Sequence, residues 1–377
     1  MVLTEETLAQ LKSNDPSSIA SMTVQFDDDG FAHSIDWERE GHLIGGNTHL
    51  KKLCISTNHG YDADIVCGGN FEAFCRGVAN NRSIETLILF YIQLSLEVTF
   101  AILSQFFEHN GNLISLEVRD CELIDASNGI RILTSALSGR RNKDSLEMIE
   151  LAFTGANNES MGELMSVLRG YDNLTELSLN GNDIGGEVRV SLANVLQEPR
   201  SNLKYLDLEF CDNIDDEALT AFADALAHNT NLHTLMLGGW RADGAITSRG
   251  WDAFFNLLCN KSSIDATYTS NHTLCGVSRL ESLPDGLAYF LQLNGNSNKA
   301  EVARQKILKY HFLAGGDINI QEFVAMEMKV LPHAIAWIGR DDAGNSLLYN
   351  FFHGRPSLFE LGDNSKATTT KRKRGTY

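Results

Sequence analysis

The pattern Leu-x-x-Leu-x-Leu recurs along most of this 377-residue chain and restricts the possible fold more than any other feature of the sequence. Each copy alternates apolar and polar residues, as a half-buried strand does, and an amphipathic helical stretch follows most copies. The copies begin at Leu50, Ile84, Leu113, Leu146, Leu174, Leu203, Leu232 and Ile264, with a degenerate copy at Ile19. Their regular spacing predicts a solenoid of stacked strand and helix units.

The unit that begins at Leu203 shows what one repeat does physically. Leu206 and Leu208 alternate with polar neighbours, so both leucines face the same side of a strand. Asp215 has the residue type and the position of a helix N-cap, and apolar residues recur at helical spacing over 218–226. One strand and one helix are too small to bury their own apolar faces, so neighbouring units must share a core. We therefore expect an α/β fold with a parallel sheet.

The run from Ile214 to Leu237, IDDEALTAFADALAHNTNLHTLML, resembles the ribonuclease-inhibitor type of leucine-rich repeat, and the resemblance covers about residues 19–274. It implies a leucine-rich-repeat solenoid, a horseshoe with parallel concave strands and convex helices. It also implies an Asn or Cys at the ninth position of each unit, bonding the backbone of the turn. In order, this position holds Asn58, Ile92, Cys121, Thr154, Asn182, Cys211, Trp240 and His272. Four units match this feature of the family and four depart from it.

The repeats divide the chain into four predicted segments. Residues 1–18 are expected to form an N-terminal cap helix, and residues 19–279 a solenoid of about nine units. Residues 280–362 lack the repeat and are rich in apolar residues, which predicts a helical C-terminal cap. Within this segment, residues 331–342 are similar to the end of uncharacterised leucine-rich-repeat proteins of diatoms, a family without an assigned activity. Residues 363–377 are expected to form a disordered basic tail.

Charge is unevenly distributed along the chain. The formal net charge is −18, although the tail carries Lys371, Arg372, Lys373 and Arg374. An acidic body repels nucleic acid and favours encounters with basic proteins. The four basic residues have two interpretations, a nuclear-localisation signal or a solvated terminal run of charge, and the sequence leaves both open.

Several absences in the sequence indicate the expected location of the protein. No apolar run approaches the ~18 residues of a membrane-spanning helix, and the N-terminus lacks an apolar signal core. The seven cysteines are odd in number and include no Cys-x-x-Cys pair. We expect an intracellular monomer without a membrane or nucleic-acid partner, in the cytoplasm, or in the nucleus if the tail is a signal.

The outward-facing strand positions predict a candidate surface for a protein partner. Five acids fall in four adjacent units and apolar residues flank them, an arrangement in which aromatic side chains supply affinity and charges steer. The predicted partner-binding residues are Glu117, Glu150, Glu176, Tyr205, Asp207, Glu209, Met236, Trp240 and Tyr268. The alternative is that outward positions of any solvated sheet are polar, which explains the acids without a ligand.

Catalytic signatures were sought in the same way. The chain has no phosphate-binding glycine motif and no His-x-x-x-His pair, and two segments that resemble calcium loops lack ligands. We therefore predict no enzymatic activity, no metal and no cofactor. The predicted function is a non-catalytic interaction scaffold that binds a protein partner on an acidic concave face. The alternative is a regulator of an enzyme, of the GTPase-activating or nuclease-inhibitor type, because this repeat type also occurs in such proteins.

Overall fold

The computed structural model describes residues 5–15, 19–26, 36–57, 68–92, 96–121, 126–238, 246–278, 283–284 and 286–312, together with the single positions 332, 335, 336, 349 and 353. The chain forms two compact units. The first comprises Met1–Leu258 and Asn271–Lys299, and the second comprises Cys259–Ser270 and Ala300–Tyr377. The repeats and their sheet lie in the first unit.

Nine strands of the described residues form one sheet, whose spatial order follows the chain and whose neighbours are all parallel. The strands are β1 Ser21–Phe26, β2 Lys52–Thr57, β3 Thr86–Phe90, β4 Ser115–Arg119, β5 Met148–Ala152, β6 Glu176–Ser178, β7 Tyr205–Glu209, β8 Thr234–Gly238 and β9 Gly276–Ser278. The degenerate copy at Ile19 forms β1, in which Met22 pairs with Leu53 and Val24 with Ile55. This sheet confirms the predicted α/β class.

Helices alternate with the strands. They are α1 Glu5–Ser13, α2 Trp37–Gly46, α3 Gly68–Val78, α4 Leu96–His109, α5 Ala126–Gly139, α6 Asn158–Leu168, α7 Gly186–Gln197, α8 Asp216–Leu226, α9 Ser248–Leu258, α10 Ile264–Tyr268, α11 Leu287–Asn294 and α12 Lys299–Ile307. The predicted N-cap of α8 is confirmed, since the Asp215 carboxylate accepts from the Ala218 amide over 2.8 Å. The predicted helix in residues 1–18 is α1.

The core of the first unit is a row of aliphatic side chains that crosses the sheet. The register aligns Leu53, Leu87, Leu116, Ile149, Leu177, Leu206 and Leu235, all of them fully buried. Burial of one such side chain contributes roughly 2 kcal/mol. Because each leucine touches the next unit, the stabilisation belongs to the stack and no single unit accounts for it.

An asparagine three residues before the first leucine joins most units to their predecessors. The Asn81 Oδ1 accepts from the amides of Ser83 and Ile84, each over 2.8 Å, while its Nδ2 donates to Ile44 O and Asn47 O over 2.7 and 2.9 Å. Comparable bonds are made by Asn47, Asn110, Asn229 and Asn271. These side chains satisfy backbone groups at the helix ends that would otherwise be buried without partners.

The predicted unit at Ile264 is wrong. Residues Ile264–Tyr268 form α10, whose N-cap Ser263 accepts from the Ala266 amide over 3.0 Å. The ninth strand begins instead at Gly276, and Leu274 takes the position equivalent to Leu232. The reason is the asparagine motif, because Asn271 accepts from the Leu274 amide over 2.9 Å as Asn229 does from the Leu232 amide over 2.8 Å.

The described part of the predicted C-terminal cap is helical. Helix α11 follows β9, and its Phe290 ring lies 6.3 Å from the Phe255 ring of α9. Helix α12 continues into a π-helical turn at Leu308–Phe312. Beyond residue 312 only five single positions are described, and the basic tail Lys371, Arg372, Lys373 and Arg374 lies outside the described residues. Over the part of the chain that the structure describes, no helix has the length and apolar character needed to cross a bilayer.

Candidate functional site

The parallel register places the central outward positions of successive units in one row across the sheet. From β2 to β8 this row contains Cys54, Ile88, Glu117, Glu150, Ser178, Asp207 and Met236. The row lies on the face opposite the leucine core, because successive side chains of a strand alternate between the two faces. The predicted alignment is therefore correct from β2 to β8.

Residues two positions away in each strand share this face and complete the acidic surface. Glu176 pairs with Tyr205 in the row on one side, and Glu209 occupies the row on the other side. We call Glu117, Glu150, Glu176, Tyr205, Asp207 and Glu209 the acidic strand face. All six come from strands β4 to β7.

One predicted site residue does not occupy its expected sheet position, and another cannot be compared with the prediction. Tyr268 is the last residue of α10 and belongs to the second compact unit, and Ser278 occupies the sheet position predicted for Tyr268. Trp240 lies outside the described residues. Met236 remains, on β8 next to Asp207.

Arg119 connects the two acids of β4 and β5. Its Nη2 lies 2.9 Å from Glu117 Oε2 and 2.7 Å from Glu150 Oε2. The Glu117 and Glu150 side chains are only 11% and 15% exposed, so solvent screens these ion pairs weakly. Burial raises the pKa of the Glu150 carboxyl, and the hydrogen bond and charge of Arg119 oppose that rise. Because one guanidinium faces two carboxylates, half of the negative charge in the β4 and β5 part of the face is neutralised.

The β6 and β7 part of the face carries three acidic side chains, Glu176, Asp207 and Glu209. The Asp207 carboxylate accepts from Ser178 Oγ over 3.0 Å and from the Glu209 amide over 2.9 Å, which fixes its orientation. Glu176 is exposed and Glu209 is half-buried. Burial, and after it the carboxylates of Asp207 and Glu209, raise the pKa of Tyr205. Three carboxylates around one phenol form a surface suited to a cationic group.

A second feature lies where the strands end. The residue that follows β3, β5 and β7 is aromatic in each case, and we call Tyr91, Phe153 and Phe210 the aromatic ledge. Their φ angles are 53°, 51° and 56°, in the left-handed region that bulky residues avoid. The sequence reasoning missed the ledge, although an aromatic residue at one fixed repeat position was a signal that could have revealed it.

Three of the ninth-position residues, Cys121, Asn182 and Cys211, bond the backbone through their side chains, as the repeat type implies. The Sγ of Cys121 donates to Arg119 O and that of Cys211 to Leu179 O, both over 3.2 Å, while Asn182 Nδ2 donates to Leu151 O over 2.7 Å. Thr154, which departs from the pattern, donates to Asn182 Oδ1 over 2.8 Å. Burial raises the pKa of the Cys121 and Cys211 thiols to about 12, so both stay protonated and unreactive at neutral pH.

Other reactive groups in the described residues are dispersed. The six described cysteines, Cys54, Cys75, Cys121, Cys211, Cys259 and Cys275, are free thiols. Within the described ranges, no group of three His, Cys, Asp or Glu side chains is placed to hold a metal ion.

Comparison with known proteins does not add a family to this description. No protein-family model matches the chain, and no curated protein matches its sequence significantly.

Proposed function

We propose that the chain is a non-catalytic interaction scaffold that binds a basic protein partner on the acidic strand face. One observation carries the proposal: the register of β4 to β7 brings five carboxylates and one guanidinium to a single face of the sheet. With one positive and five negative groups, this face has a formal net charge of minus four.

The charge is also positioned to act on a partner. Arg119 engages Glu117 and Glu150, and three further carboxylates, those of Glu176, Asp207 and Glu209, lie on the same face for a basic partner to contact. Charges at the rim of an interface accelerate encounter and select partners, and salt weakens both effects. Tyr205 lies among these carboxylates and offers the amphipathic ring that protein interfaces favour.

The finer architecture is part of this proposal. We infer that the units are leucine-rich repeats of the ribonuclease-inhibitor type, with the strands on a concave side and residues 280–362 as a helical cap. Full helices between successive strands and the turn bonds of Cys121, Asn182 and Cys211 support this inference. A concave strand face would surround a partner on several sides.

The test is capture of proteins from a cell lysate on the immobilised chain. The structure favours a Glu176→Lys/Glu209→Lys variant over reversal of Glu150, because a lysine at 150 would face Arg119. The matched control is Asp224→Lys/Asp252→Lys on α8 and α9, which makes the same change in net charge at exposed helix positions.

We expect a set of basic proteins to be retained by the wild type and by the helix control and to be lost from the strand-face variant. Retention by the wild type should weaken as salt is raised. Thermal unfolding of each protein checks that the variants fold. Equal recovery of the same proteins on all three chains would contradict the proposal.

A further inference from the structure

We propose that the aromatic ledge selects the partner, and that its ligand is an extended protein segment bearing arginine side chains. This inference rests on the proposed function, because it specifies the partner chemistry of the surface formed by the acidic strand face and the adjoining strand ends. It derives from three observations on Tyr91, Phe153 and Phe210: their backbone conformation, their exposure and their surroundings.

The fold imposes the left-handed conformation on the ledge. The Tyr91 amide donates to Arg119 O over 3.1 Å, the Phe153 amide to Asn180 O over 2.8 Å, and the Phe210 amide to Gly238 O. Each of these bonds extends the hydrogen-bond ladder of the sheet by one residue, to a strand of the next unit. The backbone at this position must therefore adopt the left-handed conformation whatever its side chain. Gly181 occupies it after β6 with φ 71° and donates to Glu209 O in the same way.

Aromatic residues are a costly choice at this position. A residue other than glycine loses roughly 1–2 kcal/mol in the left-handed region, and glycine loses nothing comparable. Burial does not offset this cost at Tyr91 and Phe153, which are 40% and 41% exposed, and Phe210 is half-buried. Strained and exposed side chains of this kind occur mainly where they contact a ligand.

Two of the three rings, Phe153 and Phe210, lie close together. Phe153 covers Gly181 so closely that a Cβ on that glycine would lie 2.3 Å from the Phe153 ring. The Phe153 and Phe210 ring centroids are 6.2 Å apart with an interplanar angle of 37°. A glycine between them is therefore what allows the two rings to approach across the intervening unit.

The spacing of the ledge suits an extended chain. Its three residues follow alternate strands, so the row spans roughly 20 Å at about 4.8 Å per strand. About six extended residues cover that length. Asp120 holds the same position after β4, with φ 50°, so the order along the row is aromatic, acidic, aromatic, glycine, aromatic.

The charges beside the rings indicate arginine. Glu209 immediately precedes Phe210, and Asp120 separates Tyr91 from Phe153 along the row. A guanidinium group stacks on an aromatic face and binds a carboxylate through two parallel bonds, whereas the ammonium group of lysine does neither as well. Within the chain, the guanidinium group of Arg119 already binds two carboxylates of the neighbouring strand face, those of Glu117 and Glu150.

The experiment measures binding of two fluorescein-labelled peptides, one of alternating arginine and glycine and one of alternating lysine and glycine. The proteins are the wild type and a Phe153→Asn/Phe210→Asn variant, because asparagine tolerates the left-handed region. Val190→Asn is the matched control, since Val190 is an apolar residue of α7 that is 60% exposed. Tyr91→Asn tests the other end of the ledge in a separate protein.

We expect the wild type and the Val190 control to bind the arginine peptide roughly tenfold more tightly than the lysine peptide. The double variant should lose this preference and keep or raise its melting temperature, and Tyr91→Asn should reduce the preference in part. Equal binding of both peptides by the wild type would overturn the inference about the aromatic ledge. If Glu176→Lys/Glu209→Lys then abolishes the binding of both peptides, the proposed function of the acidic strand face still stands. A large fall in melting temperature of both ledge variants would assign the rings to the core and would also overturn it.

Discussion

Arg119 donates from Nη2 to the Glu150 carboxylate over 2.7 Å across the β4 and β5 strands, and the same nitrogen lies 2.9 Å from Glu117. One guanidinium thus holds two weakly exposed carboxylates that would otherwise repel each other. This arrangement stabilises the β4 and β5 part of the strand face. Glu176, Asp207 and Glu209 supply the acidic side chains of the β6 and β7 part.

Replacement of Arg119 by methionine should destabilise the fold by about 1–2 kcal/mol at pH 7, because it leaves two partly buried carboxylates without a cation. The loss should shrink in acid, because burial raises the pKa of the Glu150 carboxyl and a protonated Glu150 no longer needs a cation. Chemical denaturation at pH 7 and in acid measures the loss in the free energy of unfolding. Arg131→Met is the matched control, since its partner Glu159 is 63% exposed and such pairs contribute up to about 0.5 kcal/mol. Equal effects of the two substitutions would refute the special role of Arg119.

Asn81→Ala should cost about 3 kcal/mol, because four buried backbone groups of two units lose the bonds made by one amide. The neighbouring Asn80→Ala is the control, since the Asn80 side chain makes one exposed bond of 3.4 Å to Arg76 O. Urea unfolding of both variants checks the difference. A cost below about 1 kcal/mol for Asn81 would show that the asparagines do not hold the units together.

Glu40 on α2 predicts a pH dependence of stability. Its side chain is buried, and Oε2 has no hydrogen-bond partner among the described residues. Burial raises the pKa of the carboxyl above its ordinary value of 4.5. Between 4.5 and that raised pKa the folded state binds more protons than the unfolded state, so stability falls as pH rises through this range. Glu40→Gln should therefore raise the melting temperature at pH 7.

The higher melting temperature of Glu40→Gln relative to the wild type should disappear at pH 4 and below. There the Glu40 carboxyl of the wild type is protonated in both the folded and the unfolded state. Glu38→Gln, an exposed substitution on the same helix, is the control and should change little. Calorimetry at the two pH values decides the matter. An equal gain at both would attribute it to packing and exclude the buried charge as its cause.

The contact of α2 with α3 predicts opposite effects for two glycine substitutions. A Cβ on Gly77 would lie 2.3 Å from the Gly41 backbone, so Gly77→Ala should force the helices apart and cost about 3 kcal/mol. A Cβ on Gly46, at the end of α2, would meet nothing within 4 Å. Gly46→Ala should therefore stabilise the helix by up to about 1 kcal/mol. Thermal unfolding distinguishes the signs, and a loss for both would contradict the argument from space.

Most of the fold could be predicted from residue spacing. The leucine pattern identified eight of the nine strands. The period-two alternation predicted that Glu117, Glu150 and Asp207 lie in one row, as they do. The prediction failed at Ile264, where the apolar spacing fits a strand but the Ser263 N-cap makes a helix. The N-cap of a helix outweighed a weak repeat pattern at this point. The spacing Asn271-x-x-Leu274, which other units share, would have identified the start of the ninth unit correctly.

The sequence by itself determined the repeating unit, the parallel order and the acidic side of the sheet, because each follows from the periodicity of side chains along strands and helices. Only the tertiary structure decided which charges pair with one another, since the Arg119 contact with Glu150 joins residues 31 positions apart. It also placed three aromatic rings in strained positions, because their left-handed backbone comes from hydrogen bonds to the next unit. The periodicity of the sequence specifies which side chains of a repeat face the core and which face outward, whereas contacts between repeats bring the outward side chains together as the candidate site.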